Sequence, residues 1–139
     1  FWLGLLLGRL LVAYGYRGRR QAPLLVGTSA LATAGLIAAL LAGGTWLAGA
    51  CFLLSGMGFA AVYPVVVVIA GQHFENDQGL AIGAIATGGG VGAFLFPFAM
   101  SALAEGLGID RAFWFYVAIS LALTLAAGTV LRREPQADL

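Results

Sequence analysis

The chain has 139 residues, 61% of them hydrophobic and 9% charged, with a mean hydropathy of +0.97, against about 45–50% apolar and about 25% charged in an ordinary soluble domain. That composition excludes a water-soluble domain and predicts an all-α polytopic bundle of transmembrane helices, with room for about five spans of roughly 20 residues. The formal charge is +1 and all seven basic residues are Arg, which excludes a nucleic-acid footprint, for want of a clustered basic face, and a phosphate-binding P-loop, for want of its Lys.

The first run, residues 1–16, is apolar apart from Arg9 and holds the small pair Gly4 and Gly8. No charged region precedes it, so it does not read as a signal peptide. It is short for a span and begins in mid-helix, so the chain is expected to be a fragment whose first span starts upstream. Arg17, Arg19 and Arg20 close it. The second span, about 23–42, has Pro23 in its first turn, where a missing N–H is tolerated. Its hydroxyls, Thr28, Ser29 and Thr33, can bond to carbonyls one turn back. Gly43, Gly44 and Thr45 form a turn so short that the second and third spans must be antiparallel neighbours. The third, about 46–71, contains the single Cys51, which has no partner for an intrachain disulfide and reads as packing. The loop QHFENDQG follows, then a fourth span over about 79–105. The turn GLGID leads to a fifth, about 112–131, where Trp114 and Tyr116 suit an interfacial belt.

Arg17, Arg19, Arg20, Arg132 and Arg133 fall on one side of this alternation and Arg111 on the other. The positive-inside rule makes the first group cytoplasmic. The QHFENDQG loop and the C-terminus are then inside, in a membrane expected to be a bacterial inner (plasma) membrane.

Three stretches carry a family resemblance. The run GFAAVYP (Gly58–Pro64) places a Pro after an aromatic near mid-span. The run from Gly88 through Pro97 to SALAEGLGIDRAF has Gly, then Pro, then a small-x-Leu-Ala-acid-x-x-Gly pattern, with Ser101 and Glu105 at positions the family usually gives to Gly and Asp. The turn RGRR matches the basic end of a gating motif, although Leu11 and Gly15 replace its leading Gly and its Asp. Together these resemble helices eight to twelve of a major facilitator superfamily transporter, with the start of helix eight and all of helix seven absent. The resemblance covers essentially the whole chain. It implies one part of a C-terminal domain that moves a small solute by alternating access, as symport or antiport and with proton coupling left open, between two halves that hold substrate near the midplane. The implied partners are the lipid bilayer, helix seven and the N-terminal half of the same polypeptide, and a small-molecule substrate; no nucleic acid and no cofactor are implied.

Arg9 stands out from the residues alone. On a helix it lies about 12 Å deeper than Arg17, close to the midplane of a hydrocarbon core about 30 Å thick. An intramembrane charge costs at least about 2.5–3.5 kcal/mol on insertion scales and should face a cavity or a partner; the alternative is an Arg that snorkels to the interface. Ser55, Phe59 and Tyr63 recur at intervals of four on one helix face. Since helix ten of the resembled family lines the cavity, they are substrate-pathway candidates, as are Thr87, Phe94 and Phe98 on the segment similar to helix eleven. Pro64 should bend its helix just beyond Tyr63. Gly79, Gly83, Gly88, Gly89, Gly90 and Gly92, with Pro97, are expected to serve close helix packing or a bend. His73, Glu75 and Asp77 read as a solvated loop and not a metal site, and Glu105 and Arg111 as interfacial. Two other functions compete: a non-catalytic membrane subunit or anchor, and an intramembrane enzyme. The enzyme is disfavoured because the one His lies in a loop and Ser55 has no nucleophile-elbow setting.

Overall fold

The computed structural model describes residues 1–15 and 21–133. The basic turn at Arg17, Arg19 and Arg20 and the tail from residue 134 lie outside the described residues. The order is α1 (Trp2–Gly15), α2 (Gln21–Leu41), α3 (Thr45–Phe59), α4 (Val62–His73), α5 (Gln78–Leu107), α6 (Ile109–Ala112) and α7 (Trp114–Arg133). In hydrocarbon each N–H and C=O needs a partner within its own segment, so long apolar runs fold as helices. Among the described residues, four helical stretches are long and apolar enough to cross a membrane: Gln21–Leu41, Thr45–His73, Gln78–Leu107 and Ile109–Arg132; Trp2–Tyr14 is a shorter apolar helix.

The bundle is organised around α2. Its buried residues, Ala22, Leu25, Ser29, Ala32, Thr33, Gly35, Leu36 and Ala39, return every three or four positions, so one stripe runs down the helix. It packs most closely against α3, as the Gly43–Gly44 turn requires, and next against α7, while α3 also receives α1. Glycine makes these approaches possible. A Cβ on Gly58 would lie 2.5 Å from the Ala32 nitrogen, and one on Gly35 would lie 2.8 Å from the Ser55 nitrogen. On the other side of α3, a Cβ on Gly4 would overlap the Leu53 carbonyl, one on Gly8 would come within 2.6 Å of the Met57 carbonyl oxygen, and one on Gly56 would overlap the Phe1 carbonyl.

Between α2 and α7 the contact is polar. The Thr33 hydroxyl shares hydrogen bonds with Ser120 Oγ at 2.7 Å and Thr124 Oγ1 at 3.0 Å. Thr33 also reaches the Ser29 carbonyl at 2.9 Å, and Thr28 the Leu24 carbonyl at 2.8 Å, the one-turn-back bonds expected of them. An apolar cluster of Leu25, Ala61, Val65 and Ala127 closes the region where α2, α4 and α7 meet.

The third span runs from Thr45 to His73, with a defect in its hydrogen-bond ladder at Ala60–Ala61, between α3 and α4, where both residues keep right-handed helical torsions. Pro64 has no N–H for the Ala60 carbonyl and its ring presses on that carbonyl, so the defect falls one turn before the Pro; bonding resumes at Val65 N–H to the Ala61 carbonyl, 3.0 Å. The fourth span is continuous through Gly88, Gly89, Gly90 and Pro97. Among the described residues, a Cβ at Gly79, Gly83, Gly88, Gly89 or Gly90 would meet no atom within 4 Å, and one at Gly92 would meet only the Phe96 ring of its own helix.

Candidate functional site

Arg9 sits in the middle of α1 and is exposed, whereas its neighbour Gly8 is buried against α3. Successive residues point about 100° apart around a helix. The glycines that hold α1 to α3 therefore turn the guanidinium away from that contact.

Ser55, Phe59 and Tyr63 do not present one open face. Ser55 is wholly buried, its Oγ has no hydrogen-bond partner among the described residues, and its backbone is what a side chain at Gly35 would strike. It belongs to the α2–α3 contact, where its small size matters. Phe59 is half-buried, its ring 6.2 Å from that of Phe1, which immediately precedes α1. Tyr63, past the defect at Ala60–Ala61, is 50% exposed.

On α5, Thr87, Phe94 and Phe98 fall within about 40° of one another at 100° per residue. All three are exposed, while Ile85 and Leu103, on the opposite face, are half-buried; Phe96 on that opposite face meets the Phe115 ring edge-on at 6.1 Å. Thr87 donates its hydroxyl to the Gly83 carbonyl at 2.9 Å. No residue of α5 is buried. Thr87, Phe94 and Phe98 thus point away from the rest of the described chain.

Depth follows from helical rise. From Tyr63 to His73 it is about 15 Å, and from Gln78 to Thr87 about 14 Å, so these two hydroxyls lie level with each other on the paired helices α4 and α5. Phe94 and Phe98 lie about 24 and 30 Å from Gln78, toward the opposite side. Tyr63 and Thr87 therefore lie about half-way along their spans, and Phe94 and Phe98 nearer the Gly108 end of α5.

At the end of α4, His73 and Phe74 stand edge to face, ring centroids 5.0 Å apart, with Glu75 and Asp77 exposed in the loop that follows. Among the described residues no three His, Cys, Asp or Glu side chains gather as a metal site would require. Glu105 and Arg111 are exposed near the ends of their helices, and Cys51 is a half-buried free thiol. The feature that sequence reasoning missed is the link from Thr33 to Ser120 and Thr124: the hydroxyls were legible, but not their meeting across two helices.

The Major Facilitator Superfamily model matches residues 1–139. Among curated proteins, the chain is similar to monocarboxylate transporter 9 of Gallus gallus, 34% identical over 86 residues that make up 62% of this chain and 17% of that protein. The proteins of the same name from Rattus norvegicus and Pongo abelii are 33% and 31% identical over the same shares. The chain thus spans less than a fifth of the length of the curated relatives it matches. No solved structure matches it significantly.

Proposed function

The chain belongs to the major facilitator superfamily, and from that premise we propose that it forms part of a secondary transporter that carries a small monocarboxylate by alternating access. It is an integral membrane protein. The relatives are vertebrate proteins, and the expectation of a bacterial inner membrane finds no support among them; it is not retained. Arg9 carries the reading: it is the one charged residue in the middle of an apolar helix, and it is turned away from the helix that α1 packs against. A guanidinium offers a planar fork that matches a carboxylate with two parallel hydrogen bonds. Tyr63 and Thr87 add hydroxyls near the midplane. Ser55, closed into the α2–α3 contact, is left out.

Moving a bare anion through a potential of 100 mV involves about 2.3 kcal/mol, so the reading includes proton symport, which makes the step electrically neutral. Glu75, Asp77, Glu105 and Asp110 all lie at helix ends. Among the described residues no carboxylate therefore sits within a span to carry the proton. Helix seven and the N-terminal half of the polypeptide would supply the rest of the path. An enzymatic role gains nothing from the site: His73 is exposed at the end of α4 and Ser55 is buried between helices.

Replacing Tyr63 with Ala should lower uptake of radiolabelled pyruvate or lactate by the intact transporter about tenfold, the size of one lost charge-assisted hydrogen bond, with unchanged amounts at the membrane. Unaltered uptake would remove Tyr63 from the path. The orientation, with the Asn76 loop cytoplasmic, is tested by Asn76→Cys: an impermeant maleimide should label it only after the membrane is opened, and labelling of intact cells would reverse the assignment.

A further inference from the structure

The two main neighbours of α2 are held to it in different ways. Against α3 the backbones interlock: a Cβ on Gly35 would strike α3, and one on Gly58 would strike α2. Against α7 no such notch is present among the described residues, since a Cβ on Gly27 of α2 or on Gly128 of α7 would meet no atom within 4 Å. There Leu25 and Ala127 share an apolar cluster. Apolar contact is non-directional, so it leaves the position of α7 along α2 open to a shift by one turn. Hydrogen bonds are directional, and those between the two helices converge on one residue, Thr33, at 2.7 Å from Ser120 Oγ and 3.0 Å from Thr124 Oγ1. Thr33 and Ser120 are both buried, about half-way along their helices, in the layer of a bilayer that holds no water to replace a lost partner.

Three hydroxyl protons serve four contacts in this cluster. Besides the two contacts that cross between helices, Thr33 reaches the Ser29 carbonyl and Thr124 the Ser120 carbonyl, each at 2.9 Å. Ser120 Oγ has no partner but Thr33 among the described residues, so it donates to Thr33, which gives its own proton to Ser29. Thr124, satisfied on its own helix, can donate to Thr33 only by releasing the Ser120 carbonyl. We propose that Thr33 sets the register of α7 against α2, with Ser120 as its standing donor and Thr124 as a reserve one turn away. Thr33 and Thr124 keep a carbonyl of their own helix even when the helices part, so the cluster adds little to the strength of the contact and acts on its position. A slip of one turn in one direction carries Ser120 past Thr33 and puts Gly128 where Thr124 stands; in the other, the bulk of Tyr116 arrives in place of Ser120. The register so fixed also sets Phe113 against Phe52 and Phe115 against Phe96, so one hydroxyl of α2 decides where α3 and α5 meet the start of α7. None of this depends on the transport reading.

The test uses the intact polypeptide in nanodiscs with Cys51 replaced by Ala. Spin labels at Leu41 and Arg132, both exposed and at the ends of α2 and α7, give a separation that runs largely along the helices and so reads their register. One narrow distance is expected for the parent and for Ser120→Ala, Thr124→Val and Thr33→Ser, each of which keeps a hydroxyl at position 33 and one donor on α7. Thr33→Val, which keeps the shape and loses the hydroxyl, should add a second population displaced by about 5 Å, one turn of helix. The double variant Ser120→Ala with Thr124→Val should do the same. If Thr33→Val fails to assemble while Thr33→Ser assembles, the hydroxyl directs the pairing and the proposal stands. Failure of both, one narrow distance in Thr33→Val, or a second population in Ser120→Ala as large as in Thr33→Val would overturn it.

Discussion

Replacing Gly58 with Ala should destabilise the bundle, and replacing it with Leu should prevent its assembly. The added Cβ would stand 2.5 Å from the nitrogen and 2.8 Å from the Cα of Ala32, and 2.7 Å from the carbonyl oxygen of Thr28. All three are backbone atoms of α2, so no rotamer change relieves the overlap and the two helices must separate. Overpacking a tight contact costs about 1–3 kcal/mol. Separation also loosens the neighbouring contact between Gly35 and Ser55. Gly27, on the same pair of helices but with nothing within 4 Å of its Cβ position, is the control. Ala there should be neutral or stabilising, by up to about 1 kcal/mol of helix propensity. Thermal unfolding of the intact protein in detergent distinguishes the two: a fall of several degrees for Gly58→Ala, with none for Gly27→Ala, is expected. Equal tolerance at both sites would mean that α2 and α3 do not approach this closely.

The membrane class and the five apolar segments were legible because composition and run length report them directly. The Gly43–Gly44 turn was enough to make α2 and α3 neighbours, and the resemblance at GFAAVYP and SALAEGLGIDRAF gave the family. The roles of the glycines were not legible. Gly79, Gly83 and Gly88 through Gly92 have the spacing of packing sites, yet so do Gly4 and Gly8, and it is the latter pair that meets another helix. Spacing marks where a helix can be approached; it does not say whether a partner arrives. The burial of Ser55 was not legible for a related reason: a period of four places it in line with Tyr63, but not that α2 would close over one end of that line at Gly35 and leave the other exposed. Thr33 could be assigned its bond to the Ser29 carbonyl from sequence because that partner is local. Its contacts with Ser120 and Thr124 depend on how distant segments fold together.

The second large effect is expected at Arg9. If the guanidinium holds the carboxylate of the solute, Arg9→Ala removes a charged pair of hydrogen bonds worth about 1.5–3 kcal/mol, an approximately 10- to 150-fold fall in uptake. Arg9→Lys keeps the charge but loses the planar fork, so it should retain part of the activity. A snorkelling Arg would give a different pattern: its head would lie in the interface, Lys would replace it fully, and Ala would cost little. The exposed position of Arg9 on α1, beside a glycine buried against α3, supports the first case. Uptake of radiolabelled monocarboxylate into proteoliposomes, compared for the intact transporter and its Arg9→Ala form at equal protein, is therefore the most direct test. The account predicts saturable uptake that rises when the outside is made acidic and that Arg9→Ala reduces at least about tenfold; no uptake above protein-free liposomes, or uptake that Arg9→Ala leaves unchanged, would contradict it.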